Sequence, residues 1–125
     1  MITEDYCSYE VSKLLKEKRF DRACPYWYDK EKNMKIFPGL VSTNTSNRGI
    51  SCPTHQMAMK WLREEHDIII VIEPHSYNHI EEKTSSYDFS IWYGDNYEHP
   101  LTTNYPTYEE TVEAALKYSL ENLIF

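Results

Sequence analysis

Cys52 stands three residues before His55, and the two would lie close together at the start of a helix. A thiol beside an imidazole is the minimal nucleophile–base pair, and a helix N-terminus lowers a thiol's pKa. Such chemistry also needs an oxyanion donor and a third group that orients the imidazole, and the sequence offers neither. No catalytic residue is therefore assigned, and Cys7, Cys24 and Cys52 read as buried or incidental thiols. His75 and His79 have a spacing that zinc sites use, with Glu73, Glu81 and Glu82 close by. Pro74 opposes a helix there and no cysteine adjoins, so the segment reads as a solvated loop; no metal and no cofactor is assigned. His55, with Thr54 and Gln56, forms a polar trio at a positive helix end, suited to capping at the surface or to holding an anion. The carboxylates come as neighbours, Glu64-Glu65-Asp67, Glu81-Glu82 and Glu109-Glu110. Adjacent residues on a helix point apart, so none of these pairs is an acid–base couple by itself. Gly39, Gly49 and Gly94 are the only glycines, which excludes a glycine-rich dinucleotide fingerprint or a P-loop.

The most unusual usage is aromatic: eleven Tyr, three Trp and four Phe in 125 residues, more than one core of this size absorbs. Rigid, amphipathic rings on a sheet face or in loops make contact surfaces for proteins or flat ligands. Strand alternation sets Trp27 opposite in facing to Tyr26 and Tyr28, and Trp92 opposite to Tyr93. If helices cover one side of the sheet only, Trp27 and Trp92 form an open aromatic face; the other arrangement covers both sides. Trp27, Trp92, Tyr93 and Tyr97, with Arg48 and His55, are the candidate ligand- or partner-binding residues. A nucleotide would stack on such a ring with its phosphate on Lys13, Arg48, Lys60 or Arg63.

These groups must be placed by a small set of elements. Ser8 caps a first helix whose Val11, Leu14 and Leu15 share a face, with Lys16, Lys18 and Arg19 at its C-terminal end and Phe20 folding back. Cys24–Tyr28 and Met34–Phe37 read as a hairpin, stopped by Pro38-Gly39, and Ser42–Gly49 as a polar loop. Pro53 opens a second helix with Met57, Ala58, Trp61 and Leu62 on one side. Ile68–Ile72 is apolar on both faces, which predicts a central strand ended by Pro74 and followed by a polar loop over 75–86. Tyr87, Phe89, Ile91 and Tyr93 alternate with polar residues and Trp92 in a further strand closed by Gly94-Asp95-Asn96. Thr107-Tyr108-Glu109-Glu110 is a capping box before a last helix with Val112, Ala115, Leu116 and Leu120 on its stripe and Leu123-Ile124-Phe125 docking its end. The order α-β-β-α-β-β-α predicts one α+β domain over residues 1–125, a mostly antiparallel sheet of about four strands with three helices on one side.

The net charge of −7 is unevenly spread: residues 1–63 carry 11 Lys+Arg against 7 Asp+Glu, a net of +4, and residues 64–125 carry 2 against 13, a net of −11. A field of that sign repels phosphate backbones and argues against general nucleic-acid binding by the second half. An odd, sparse set of cysteines fits a reducing cytoplasm, and Ile2–Phe20 lacks the apolar core of a signal peptide. Ile68–Ile72, the longest purely apolar run, is far too short to cross a membrane.

Several segments together, Met1–Tyr6, Lys13–Lys18, Pro53–Glu65, and Thr107–Glu110 with Glu113–Tyr118, resemble a family of small uncharacterised proteins encoded in phages, prophages and mobile elements of gut bacteria. The resemblance covers both ends and the middle of the chain. It implies a setting, an accessory gene of a mobile element acting in the host cytoplasm, and no activity. The reading that follows leans away from an enzyme: an acidic binding protein that meets a host or phage protein through exposed rings framed by carboxylates. The same rings would serve a symmetric homodimer. The alternatives are a nucleotide-binding or sequestering protein and, with least support, a small hydrolase built on Cys52 and His55.

Overall fold

The computed structural model describes residues 3–36, 44, 49–100 and 104–124. In chain order they form α1 (Tyr9–Glu17), β1 (Tyr26–Tyr28), β2 (Met34–Ile36), β3 (Ile50–Ser51), α2 (His55–His66), β4 (Ile68–Asn78), β5 (Lys83–Tyr93), β6 (Asn96–Glu98) and α3 (Tyr108–Asn122). The α+β class, the three helices and the antiparallel pairing are as expected. The expected single sheet of about four strands is instead two three-stranded sheets, β2-β1-β3 and β4-β5-β6: among the described residues the two hairpins do not pair with each other, and the short β3 and β6 each add an outer strand. The expected stop at Pro38-Gly39, most of the Ser42–Gly49 loop, Arg48 and Phe125 lie outside the described residues.

α1 and α3 begin on the side chains the sequence marks for them, Ser8 and Thr107, whereas Pro53, expected to open the second helix, stands just before its cap, Thr54. Ser8, Thr54 and Thr107 accept from the backbone N–H groups of Val11, Met57 and Glu110, each filling one of the donors a helix start leaves open. The helix stripes meet in one core of Val11, Leu15, Phe20, Ala58, Trp61, Leu62, Val112, Ala115, Leu116 and Leu120, to which the second sheet contributes Ile68, Phe89 and Ile91. Phe20 folds back as expected, its N–H donating to the Leu15 carbonyl. Ile124 docks the chain end, and the Lys18 ammonium donates to its carbonyl.

Three expectations about residues 68–86 are corrected. Ile68–Ile72 is not central: β4 is the edge of its sheet, paired only with β5 among the described residues, and Ile69 is 43% exposed. An apolar run reads alike for a doubly covered strand and for an edge strand with one apolar face left open. Pro74 does not end the strand, which continues to Asn78. An edge position tolerates proline because no ladder bond need be lost, and the register shifts between Pro74 and Tyr77 absorb the irregularity. The expected 75–86 loop is consequently the arm of a long hairpin that turns over residues 79–82, with Glu82 at φ 53°. No helix among the described residues is long and apolar enough to cross a membrane.

Candidate functional site

The register of the second sheet sorts its rings. Ile69 of β4 lies opposite Trp92 of β5, and Trp92 opposite Tyr97 of β6, so these three side chains form one row across the strands. Alternation sends them to one face and Ile68, Ile70, Phe89, Ile91 and Tyr93 to the other, against α3 and the core. The row is open: Trp92 is 48% and Tyr97 49% exposed, their rings in tilted contact at 4.6 Å between centroids. The opening is local. Further along the same face Ser90 and Asp88 are buried, the Ser90 hydroxyl donating to Glu73 and the Asp88 carboxylate lying 3.2 Å from His99 Nε2. What remains accessible is the end of the sheet beside the Gly94-Asp95 turn, where Asp95 is an exposed carboxylate.

The other candidates separate. Tyr93 faces α3, and its hydroxyl and that of Tyr118 each donate to an oxygen of Glu98, at 3.0 and 2.6 Å. Those bonds raise both phenols, Tyr118 to about 12. Trp27 belongs to the first sheet, half-buried, with Gly49 packed onto its ring. The expected pairing of Trp27 with Trp92 on one face therefore does not form, because the two strands lie in different sheets. Of the cations proposed for a phosphate, Lys60 lines a cleft of about 400 Å³ with Arg22, Met57 and Trp61, and Arg22 there is already paired with Glu64 and Glu65. His75 is exposed on β4 and His79 meets Tyr77 edge to face; among the described residues neither joins a cluster of metal-ligating groups.

His55 is not a surface cap. It is 6% exposed, its N–H donates to the Asp5 carbonyl, and its Nε2 lies 2.9 Å from Glu113 Oε1. Glu113 in turn accepts from the backbone N–H and the hydroxyl of Ser8, both at 2.8 Å. Burial pushes the Glu113 carboxyl up, but the hydrogen bonds from His55 and Ser8 and the His55 charge outweigh it and hold the group below the ordinary carboxylate value. The thiol beside His55 belongs to Cys7, not Cys52: the donor atoms of Cys7, His55 and Glu113 all lie within 4.8 Å of one another. Cys52 donates instead to the Cys7 carbonyl, which also accepts from Tyr28. All three cysteines are buried as free thiols, and burial raises each thiol, Cys24 to about 12. The expected lowering of the Cys52 thiol by the helix start is thus reversed by desolvation. The sequence pattern does not single out Glu113, and it reads Cys7 as a buried or incidental thiol. The available signal for Glu113 was a carboxylate on the margin of the α3 apolar stripe, one turn before Leu116.

Comparison with known proteins finds no matching family model, no matching curated protein and no matching solved structure.

Proposed function

We propose that this chain is a non-enzymatic binding protein that takes a basic protein partner on the open end of its second sheet, as an accessory protein of a phage or mobile element in the host cytoplasm. The observation that carries the reading is the row Ile69–Trp92–Tyr97, three large side chains in cross-strand register and each nearly half exposed. Exposed Trp and Tyr at the centre of a patch are the residue types that dominate binding energy when a partner covers them. The partner's charge follows from the surroundings: Asp95 lies in the turn that follows β5 at this end of the sheet, within a half-chain of net charge −11 from 2 Lys+Arg and 13 Asp+Glu. Such a field speeds association with a basic partner and repels an acidic one. The buried thiols, each raised by desolvation, weigh against the hydrolase alternative. The setting rests on the resemblance of the terminal and central segments.

The test is a titration of the full chain with extended peptides rich in Lys and Arg and with matched Glu-rich peptides, followed by tryptophan fluorescence and amide chemical shifts. The expected result is salt-sensitive binding of the basic set alone, mapped to Ile69, Trp92 and Tyr97. Ile69→Lys and Trp92→Ala should each abolish it while the fold is retained. Indifference to both peptide sets, or shifts that map elsewhere, refutes the proposal.

A further inference from the structure

Independently of that surface, we infer that Cys7, His55 and Glu113 form a binding site for a divalent transition ion of the zinc class. A thiol, an imidazole and a carboxylate are the three ligand types such an ion selects, and here they come from three separate elements: the segment before α1, the first residue of α2 and the second turn of α3. Their donor atoms lie within 4.8 Å of one another. A tetrahedral ion with bonds of about 2.0–2.3 Å asks for separations of about 3–4 Å, so the donor atoms stand within about 1–2 Å of the spacing required.

The surroundings are those of held ligands. The Cys7 N–H donates to the Pro53 carbonyl, and its own carbonyl accepts from Tyr28 and Cys52, so the backbone is fixed on both sides of the thiol. Glu113 is oriented by two hydrogen bonds from Ser8, the kind of outer contact that aims a metal-binding carboxylate. His55 is anchored by the α2 cap and by Asp5. Two of the three ligands are reached from outside: a cleft of about 520 Å³ is lined by His55 and Glu113 together with Asp5, Glu109 and Glu110, carboxylates that concentrate cations, and Cys7 lies buried behind it. A water from that cleft fills the fourth position. On binding, the ion takes the place of any hydrogen on His55 Nε2, so the coordinating imidazole keeps a single proton on Nδ1 and any second proton leaves to solvent. The Cys7 thiol becomes a thiolate and its proton leaves to solvent, so at least one proton is released per ion. The ion then ties the N-terminal segment, α2 and α3 together.

The experiment uses the full chain, stripped with a chelator and titrated with Co²⁺ and then Zn²⁺. One Co²⁺ per chain is expected, with thiolate-to-cobalt charge-transfer absorption that Zn²⁺ abolishes. Zn²⁺ at a hundredfold excess over its Kd should raise Tm by about 10 °C. Cys7→Ser should lose the band, Cys24→Ser and Cys52→Ser should keep it, and Ser8→Ala should bind about tenfold more weakly. Should Cys7→Ser fail to fold, zinc-edge X-ray absorption of the wild-type chain decides: a sulfur neighbour with imidazole supports the site, and oxygen and nitrogen neighbours alone overturn it. Absence of the band in folded wild-type chain, or a band that survives Cys7→Ser or vanishes in Cys52→Ser, also overturns it.

Discussion

Replacing Glu113 with Gln tests whether the His55–Glu113–Ser8 cluster ties α1, α2 and α3 together. The carboxylate accepts three hydrogen bonds, from Ser8 N–H, Ser8 Oγ and His55 Nε2. Its side chain is 27% and that of His55 7% exposed, so water replaces little of what is lost. Glutamine keeps one acceptor oxygen but turns an NH2 toward a group that also donates. A hydrogen bond to a charged group contributes about 1.5–3 kcal/mol, and losing one while weakening the others costs about 2 kcal/mol. For a chain of this length that lowers Tm by roughly 6–10 °C. The pH dependence fixes the sign. Because the folded Glu113 carboxyl is held below its ordinary value, the unfolded chain binds the proton more readily. The stabilisation is therefore complete above the unfolded value of about 4.3 and is lost as pH falls through the depressed folded value. The assay is urea and thermal unfolding followed by circular dichroism, with chelator present, from pH 7 down to pH 3. The gap between wild type and Glu113→Gln should be full at neutral pH and close in acid. A variant as stable as wild type at pH 7, or a gap that does not narrow as pH falls toward 3, refutes the reasoning.

Gly49→Ala should destabilise the first sheet. A Cβ at that position would stand 2.4 Å from Trp27 Cε3 and 2.5 Å from the Tyr28 carbonyl oxygen. The carbonyl is backbone of β1 and cannot yield, so a loss of about 1–3 kcal/mol in urea unfolding is expected, and full stability would refute the packing. Asp67→Gly should do the opposite. Asp67 closes α2 in the left-handed region at φ 54°, ψ 39°, where glycine carries no Cβ penalty. A gain of about 0.5–1 kcal/mol is expected, read as a higher urea midpoint at unchanged slope, and a loss would show that the Asp67 side chain holds the cap.

The parts of the fold legible in the sequence are those set by neighbours along the chain. Ser8 and Thr107 announce their helices because a cap acts within three residues. The alternation of Phe89 and Ile91 with Asp88 and Ser90 announces β5 for the same reason. What stayed hidden is set by partners distant in sequence. Whether Ile68–Ile72 is an edge or a centre depends on what pairs beyond it, and nothing within the run records that. Trp27 and Trp92 each read as a ring turned away from its neighbours, but only strand order shows that they belong to separate sheets. His55 sits in the first turn of a helix, where a polar residue ordinarily meets water. It is buried because α3 brings Glu113 to it from 58 residues away.

The outer edge of β4 links the corrected fold to the proposed surface. Natural sheets blunt exposed edges with proline, bulges and charge, because an unpaired apolar edge recruits other chains. Past Glu73 this strand follows the rule: Pro74, the register shifts up to Tyr77 and a run of exposed polar residues. Between Ile69 and Ile72 it does not, for there the edge carries only apolar side chains. The undefended half of the edge is the half beside the Ile69–Trp92–Tyr97 row. A partner that lays an extended segment along Ile69–Ile72 would satisfy the open backbone groups and cover the adjoining rings in the same step. A protective device along that half would block such docking, and this gives the contrast between the two halves of one strand a physical reason.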